Sequence, residues 1–331
     1  MSGRQVRLQQ PSYFGKLPSR GDFLKGQYNP QLLKVLDEWL AQGLELLAED
    51  PRWKLIYDAA PPLNFACLGS RSRLAIAGHL RPSRDEAARR YPFIAAVPVE
   101  ADAALDFLAG APALLAGCWR HLADSIEQLA RSSEPEAQLD GLEGWVPGIP
   151  AAFRGSPQAA AYDAFLQGYS LLRMEQMLTF EGHRVSLRRA ILALGLLLQP
   201  ILGSTVSHLE KGLTLPLPRD PACRELMATF WLDLVSQFLA GADFELLVCI
   251  AEMDARARLV IGFNGLSARS LQGAIHPQAY AEQNIDIDNA EWVEDSIHGH
   301  NAMYKLVSYL DQPQLPLAIV LGTFREVFIG G

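Results

Sequence analysis

Two pairs of short apolar runs constrain this chain most. "LNFACLG" (Leu63–Gly69) and "RLAIAGHL" (Arg73–Leu80) are separated only by Ser70-Arg71-Ser72. "FELLVCIAEM" (Phe244–Met253) and "ARLVIGFNG" (Ala257–Gly265) flank a polar "DARA" turn. Runs this short, bounded by turn residues, read as β-hairpins rather than helices. Each pair needs a layer of helices to cover it.

The covering helices are visible around them. "NPQLLKVLDEWLAQGLELLAED" carries apolar residues at Leu32/Leu33, Leu36, Trp39/Leu40 and Leu44/Leu47, one buried helical face that Pro51 ends. A third apolar run, "YPFIAAVPV", follows the first pair, and a helix is expected from about Ala103 to Arg131 with a break near Pro112. Further helical patterns cover Gln158 to Phe180, Ser186 to Leu198 and "ACRELMATFWLDLVSQFLAG", where Pro221 suits a first helical turn. Another is expected to begin near Asn301. Between the halves, a proline- and glycine-rich stretch without periodicity reads as a linker or functional loop. The expectation is an α/β (or α+β) protein. It has a small mixed sheet flanked by helices in residues 1–133, a linker over 134–157, and a second, helix-rich α/β half over 158–331.

A net charge of −8 gives no global attraction to phosphate backbones or anionic lipid, so neither nucleic acid nor membrane insertion is expected. The longest apolar run, Ala190 to Gly203, is interrupted by Gln199 and Pro200 and is too short to span a bilayer. The four cysteines form no CxxC pair and read as buried free thiols in a reducing compartment. With a polar N-terminus, the expected location is the cytoplasm.

Catalytic signatures fail one by one. There is no P-loop, GxGxxG, HExxH, GxSxG or SxxK. "NIDIDNAEWVED" alternates Asp286 and Asp288 like a calcium loop, but has Ala290 at the fifth position and no glycine at the sixth. It reads as an exposed acidic strand or turn. "HGH" (His298–His300) is a close histidine pair without a recognisable third ligand. No cofactor, metal or enzymatic activity is expected.

Two charged segments remain. In "FGKLPSRGDFLKG", Gly21 permits a positive-φ turn that aims Arg20 and Asp22 outward, with Phe14 and Phe23 pinning its ends. This is either an Arg–Asp lock or a surface presented to a partner. In "RPSRDEAARRYPF", Asp85 and Arg89 face one another if the segment is helical, with Ser83 and Glu86 as a capping box. Both segments flank strands, so Arg20, Asp22, Asp85 and Arg89 are expected together at one sheet edge.

"YFGKLPSRGDFLKG", the following tryptophan-containing stretch and "PSRDEAARRYPF" together resemble the TagF (ImpM) family of type VI secretion accessory proteins. Pro82, Ser83, Asp85, Arg89 and Pro92 fall on the family pattern, with Ala88 in place of its glycine and Tyr91 in place of its phenylalanine. The resemblance implies a cytoplasmic post-translational repressor of type VI secretion that binds a forkhead-associated scaffold protein. Its implied binding residues are Arg20, Gly21, Asp22, Phe23, Ser83, Asp85 and Arg89. Two alternatives stay open: a structural subunit of the apparatus, and an enzyme or nucleotide switch using the Arg20/Asp22/Asp85/Arg89 cluster.

Overall fold

The computed structural model describes residues 10–180, 182–204, 206–253, 256–296 and 301–330. In chain order the first half contains β1 (Ser12–Gly15), β2 (Leu24–Lys25), α1 (Pro30–Ala48), α2 (Trp53–Ala59), β3 (Leu63–Gly69), β4 (Leu74–Arg81), β5 (Phe93–Glu100) and α3 (Ala104–Arg131). Then come α4 (Glu136–Gly144), α5 (Pro157–Gly168), α6 (Leu171–Leu178), α7 (Leu187–Leu198), β6 (Gly212–Pro216), α8 (Pro221–Leu239), β7 (Glu245–Met253) and β8 (Arg256–Gly262). The chain ends with α9 (Ala268–Ile275), α10 (Pro277–Gln283), β9 (Asn284–Asp286), α11 (Val293–Ser296), α12 (Asn301–Leu310) and α13 (Leu317–Phe328).

Both hairpins form, and they pair with each other. The strand order is β2-β1-β5-β4-β3-β7-β8-β6-β9. The ladder from Leu63↔Ala251 to Gly69↔Glu245 makes the two halves one nine-stranded sheet. All pairings are antiparallel except β6 with β9. The fold is therefore mixed α/β, as expected.

Helices cover both sheet faces. On one, Ala66, Leu68, Val97, Val99, Val248 and Ile261 pack against α3, α8 and the other large helices. On the other, Phe65, Ile94, Leu247, Cys249 and Val260 meet Leu36, Trp39 and Leu40 of α1 and Leu271 of α9. Double burial explains why these strands are near-continuous apolar runs instead of alternating, a pattern more familiar from parallel sheets. Buried indoles find acceptors across the layers: Trp119 Nε1 donates to Phe65 O (2.9 Å) and Trp39 Nε1 to Ser267 O (3.0 Å).

Three local expectations are corrected. Pro112 does not break α3. The helix continues through it, and the Ala113 amide donates to Thr229 Oγ1 of α8 (3.1 Å), a partner outside the helix. The pattern over Gln158–Phe180 is two helices, α5 and α6, because Tyr169 and Ser170 leave helical geometry and Ser170 caps the second. The linker stretch 134–157 contains α4, whose Leu139 and Leu142 are buried, and Phe153 packs where a Cβ on Gly110 would stand.

Asp288 overturns the exposed reading of "NIDID". It is 3% exposed, whereas the Asp286 side chain is half-exposed. Asp288 Oδ2 accepts from Arg258, itself buried, and lies 2.7 Å from His183 Nε2. The His298–His300 pair lies outside the described residues. Cys67, Cys118, Cys223 and Cys249 are unpaired; burial pushes the thiols of Cys118 and Cys249 up to about 12.

Candidate recognition site

The two charged segments meet at the β2 edge of the sheet. β1 pairs with β5 through Ser12↔Ala96 to Phe14↔Ile94, which lays "FGK" beside "YPF". Gly15 permits the contact. Its φ is +140°, and a Cβ there would collide with the Pro92 carbonyl and Phe93 Cα.

Lys16, the next residue, is buried and reaches across. Its Nζ donates to Asp85 Oδ2 at 2.9 Å. Asp85 is 2% exposed and accepts two more bonds, from the Arg89 amide to Oδ1 (2.8 Å) and from Arg89 Nε to Oδ2 (2.7 Å). Burial alone raises the Asp85 carboxyl. The bonds from Lys16 and from the Arg89 amide and guanidinium outweigh it and hold the group at about 2. Both oxygens are occupied, so Asp85 is an anchor at neutral pH rather than a base ready to take a proton.

The Arg89 side chain is 60% exposed beyond this anchor, and its Nη2 donates to Gly21 O (2.5 Å). The Glu86 amide donates to Arg20 O (3.0 Å). These bonds place the Arg20–Gly21 backbone beside the Asp85–Arg89 loop. The four expected residues are thus on neighbouring segments, but not as one charge cluster. Arg20 turns away and pairs with Glu136 at the start of α4, while also donating to Ser133 O (3.1 Å). Asp22 is exposed and has no side-chain ion pair among the described residues. The Arg20–Asp22 lock does not form; Lys16, absent from the expected set, takes its place with Asp85. A lysine buried between a glycine and a leucine carried no charge pattern that could have revealed it.

The 82–92 segment is not a helix. Asp85 and Arg89 meet because the backbone folds back: Ala88 N donates to Asp85 O (2.9 Å) and Asp85 N to Arg89 O (3.1 Å). Ala88 sits at φ +59°, the left-handed region, at the position where the family resemblance expects glycine. Gly21 is not among the positive-φ residues, so the turn's glycine requirement falls at Gly15 instead. Ser83 makes no capping box. Its backbone is held by Tyr57, whose hydroxyl donates to Ser83 O and accepts from Ser83 N, both at 2.9 Å.

Phe23 is the outward product of this frame. It is 48% exposed rather than pinned in the core. Its ring stacks on buried Phe14 (5.3 Å between centroids), meets Tyr91 edge-on (4.9 Å) and lies 4.9 Å from Lys16 Nζ. Tyr91 is fixed in turn by its hydroxyl donating to Asp37 Oδ1 (2.9 Å). Phe23 is thus a half-exposed aromatic ring held from three sides, next in sequence to the exposed Asp22. Among the described residues no cluster of three or more His, Cys, Asp or Glu is placed to hold a metal.

The comparisons with known proteins fall on this region. A family model described as "TagF N-terminal domain, Type VI secretion system-associated" matches residues 12–145. The chain thus carries a TagF N-terminal domain, which links it to type VI secretion. A crystal structure of PA0076 from Pseudomonas aeruginosa PAO1 is similar, with 29% sequence identity over 43% of this chain and 63% of that chain, at a TM-score of 0.32. No curated protein matches. No helix among the described residues is long and apolar enough to cross a membrane.

Proposed function

We propose that the protein is a non-enzymatic regulator of type VI secretion, acting in the cytoplasm as a post-translational repressor by binding a forkhead-associated scaffold protein of the apparatus. The observation that carries this reading is Phe23. An aromatic residue left half-exposed, yet braced by Phe14, Tyr91 and Lys16, is what a binding hot spot requires: large contact area with little entropy left to lose. Asp22 and Arg89 beside it supply charge of both signs for orientation. The occupied Asp85 carboxylate supports binding over catalysis at this site.

The test is co-purification of the full chain with a forkhead-associated scaffold protein of a type VI secretion apparatus. Wild type is expected to retain the scaffold and Phe23→Ala to release it, with secretion rising in cells that carry the variant. Stoichiometric incorporation of the wild-type chain into the assembled apparatus would instead make it a structural subunit.

A further inference from the structure

The end of the sheet where β8 begins gathers cations that the recognition site does not use. β8 pairs with β6 from Leu213↔Ile261 to Pro216↔Arg258, and the Leu217 amide extends the ladder by donating to Ala257 O (3.1 Å). The segment Pro216-Leu217-Pro218-Arg219 is therefore held beside Arg256 and Arg258. Its two prolines fix their own φ, the Pro216 carbonyl accepts from Trp231 Nε1 (3.0 Å), and Arg219 ends it at an exposed position. Next to these residues stands Phe180, held by a tight backbone pairing with His183. Phe180 N donates to His183 O (3.1 Å) and His183 N to Phe180 O (2.9 Å), while His183 Nε2 is anchored on buried Asp288 (2.7 Å).

Phe180 carries two guanidinium groups. Arg219 Cζ lies 4.4 Å from its ring centroid and Arg256 Cζ 5.5 Å. Contact with the ring orients each planar fork and leaves it less entropy to lose on binding. The two charges stand within about 10 Å of one another, one Debye length at ordinary salt, so they repel. Among the described residues neither side chain makes a hydrogen bond or an ion pair, and Arg256 Nε is buried without an acceptor. The acids nearby are engaged elsewhere. Asp288 Oδ2 accepts from Arg258 and faces His183, Asp220 Oδ1 caps α8 by accepting from Ala222 N (3.0 Å), and Glu252 takes Arg224 (2.8 Å). In a chain of net charge −8, two arginines held unpaired on one ring run against the prevailing sign. An arriving anion removes their repulsion and supplies the acceptor that Arg256 Nε lacks.

We propose that Arg219 and Arg256, stacked on Phe180, form a binding site for a phosphate monoester. Two unpaired guanidiniums balance a dianion, and each offers the fork of N–H donors that phosphate oxygens accept in pairs. A single carboxylate would balance only one of them. The depression among Phe180, His183, Arg219, Arg256, Arg258 and Asp288 measures about 10 Å³, room for one water. The phosphate therefore sits at its mouth, and the site reads the phosphate rather than the group that carries it. That carrier is either a free organic phosphate or a phosphorylated side chain of another protein. This inference goes beyond the scaffold-binding reading and shares no residue with it.

Titration of the full chain into glycerol 3-phosphate, followed by phosphorus NMR at low salt, tests it. Saturable binding with a Kd on the order of 0.1–1 mM is expected, weakening as salt is added. Arg219→Ala and Arg256→Ala are each expected to weaken it about tenfold or more. Arg219→Lys, which keeps the charge but not the fork, should stay weaker than wild type. Arg154→Ala, at an exposed arginine outside the cluster, should change nothing. If Arg256→Ala does not fold, Arg219→Ala, at an exposed residue, still decides. A phosphothreonine peptide and its unphosphorylated form identify the carrier. A phosphopeptide about tenfold tighter than glycerol 3-phosphate marks a protein, and equal affinity marks a free organic phosphate; the unphosphorylated peptide should not bind in either case. No saturable binding overturns the proposal, and is the result if Glu181 or Asp254, which lie outside the described residues, already serves the arginines. Binding untouched by Arg219→Ala, or weakened as much by Arg154→Ala, overturns it too.

Discussion

Each half of the molecule buries an aspartate beneath an arginine, and the two respond to burial in opposite ways. Asp85 receives bonds on both oxygens from Lys16 and Arg89, and its carboxyl is held at about 2. Asp288 is equally buried, but its Oδ1 has no partner among the described residues. There burial, with Asp286 nearby, pushes the carboxyl up despite Arg258 and His183. The difference lies in hydrogen bonds and in charge: Asp85 meets two cations, whereas Asp288 has Asp286 beside it. A buried carboxylate with every lone-pair direction served is a lock, and one left short is a cost the fold carries.

The largest expected effect breaks the lock. Asp85→Asn leaves Lys16 buried without its counter-charge and should lower Tm by roughly 5–10 °C. Asp288→Asn should cost clearly less, since Asp286 remains beside Arg258 and the unserved oxygen is already a liability. Equal losses in thermal melts of the two variants would erase the distinction.

Acid sharpens it. The folded pKa of Asp85 is depressed, so its stabilisation is complete above the ordinary carboxylate range, near pH 4, and is lost as pH falls towards about 2. Asp288 has a raised folded pKa, so protonating it on acidification favours the folded state. His79 gives a separate window. Burial, aided by Arg81, holds it down to about 4, so its contribution is lost between about pH 6.5 and that value. In melts across pH, wild type should lose stability between pH 4 and 2 relative to Asp85→Asn, whose profile there should be flatter. Parallel profiles would contradict the assignment.

Smaller effects test the loop that carries the lock. Ala88→Gly relieves a left-handed alanine and should gain about 0.5–1 kcal/mol, after the greater freedom of glycine in the unfolded chain is subtracted. Denaturant titration reads this directly, and a loss would mean the turn is not strained. Asp22→Ala, at an exposed side chain, should change stability by less than about 0.5 kcal/mol while weakening scaffold binding.

Much of this arrangement was legible in the sequence, for identifiable reasons. The hairpins of Leu63–Arg81 and Glu245–Gly262 were visible because their runs are short, apolar and bounded by turns. Their union through β3 and β7 was not, because strand pairing across about 180 residues leaves no local pattern. β6, only five residues long, offered too little periodicity to stand out. At the site, matched charges in two segments correctly suggested proximity. They misassigned the partners, because Arg20–Asp22 is adjacent in sequence whereas Lys16–Asp85 is joined only by the fold. Glycine chemistry misled similarly. Gly21 sits in an obvious turn motif, but the conformations that require glycine or strain alanine are at Gly15 and Ala88.

The central claim is that the Lys16–Asp85–Arg89 lock exists to hold Phe23 out for a partner. Its most direct test is a paired measurement on Phe23→Ala: thermal melting of the purified chain, and affinity for the forkhead-associated scaffold protein. The account predicts a Tm close to wild type, because Phe23 is already half in water, together with loss of scaffold binding by about tenfold or more. Wild-type affinity in a folded Phe23→Ala chain would contradict it.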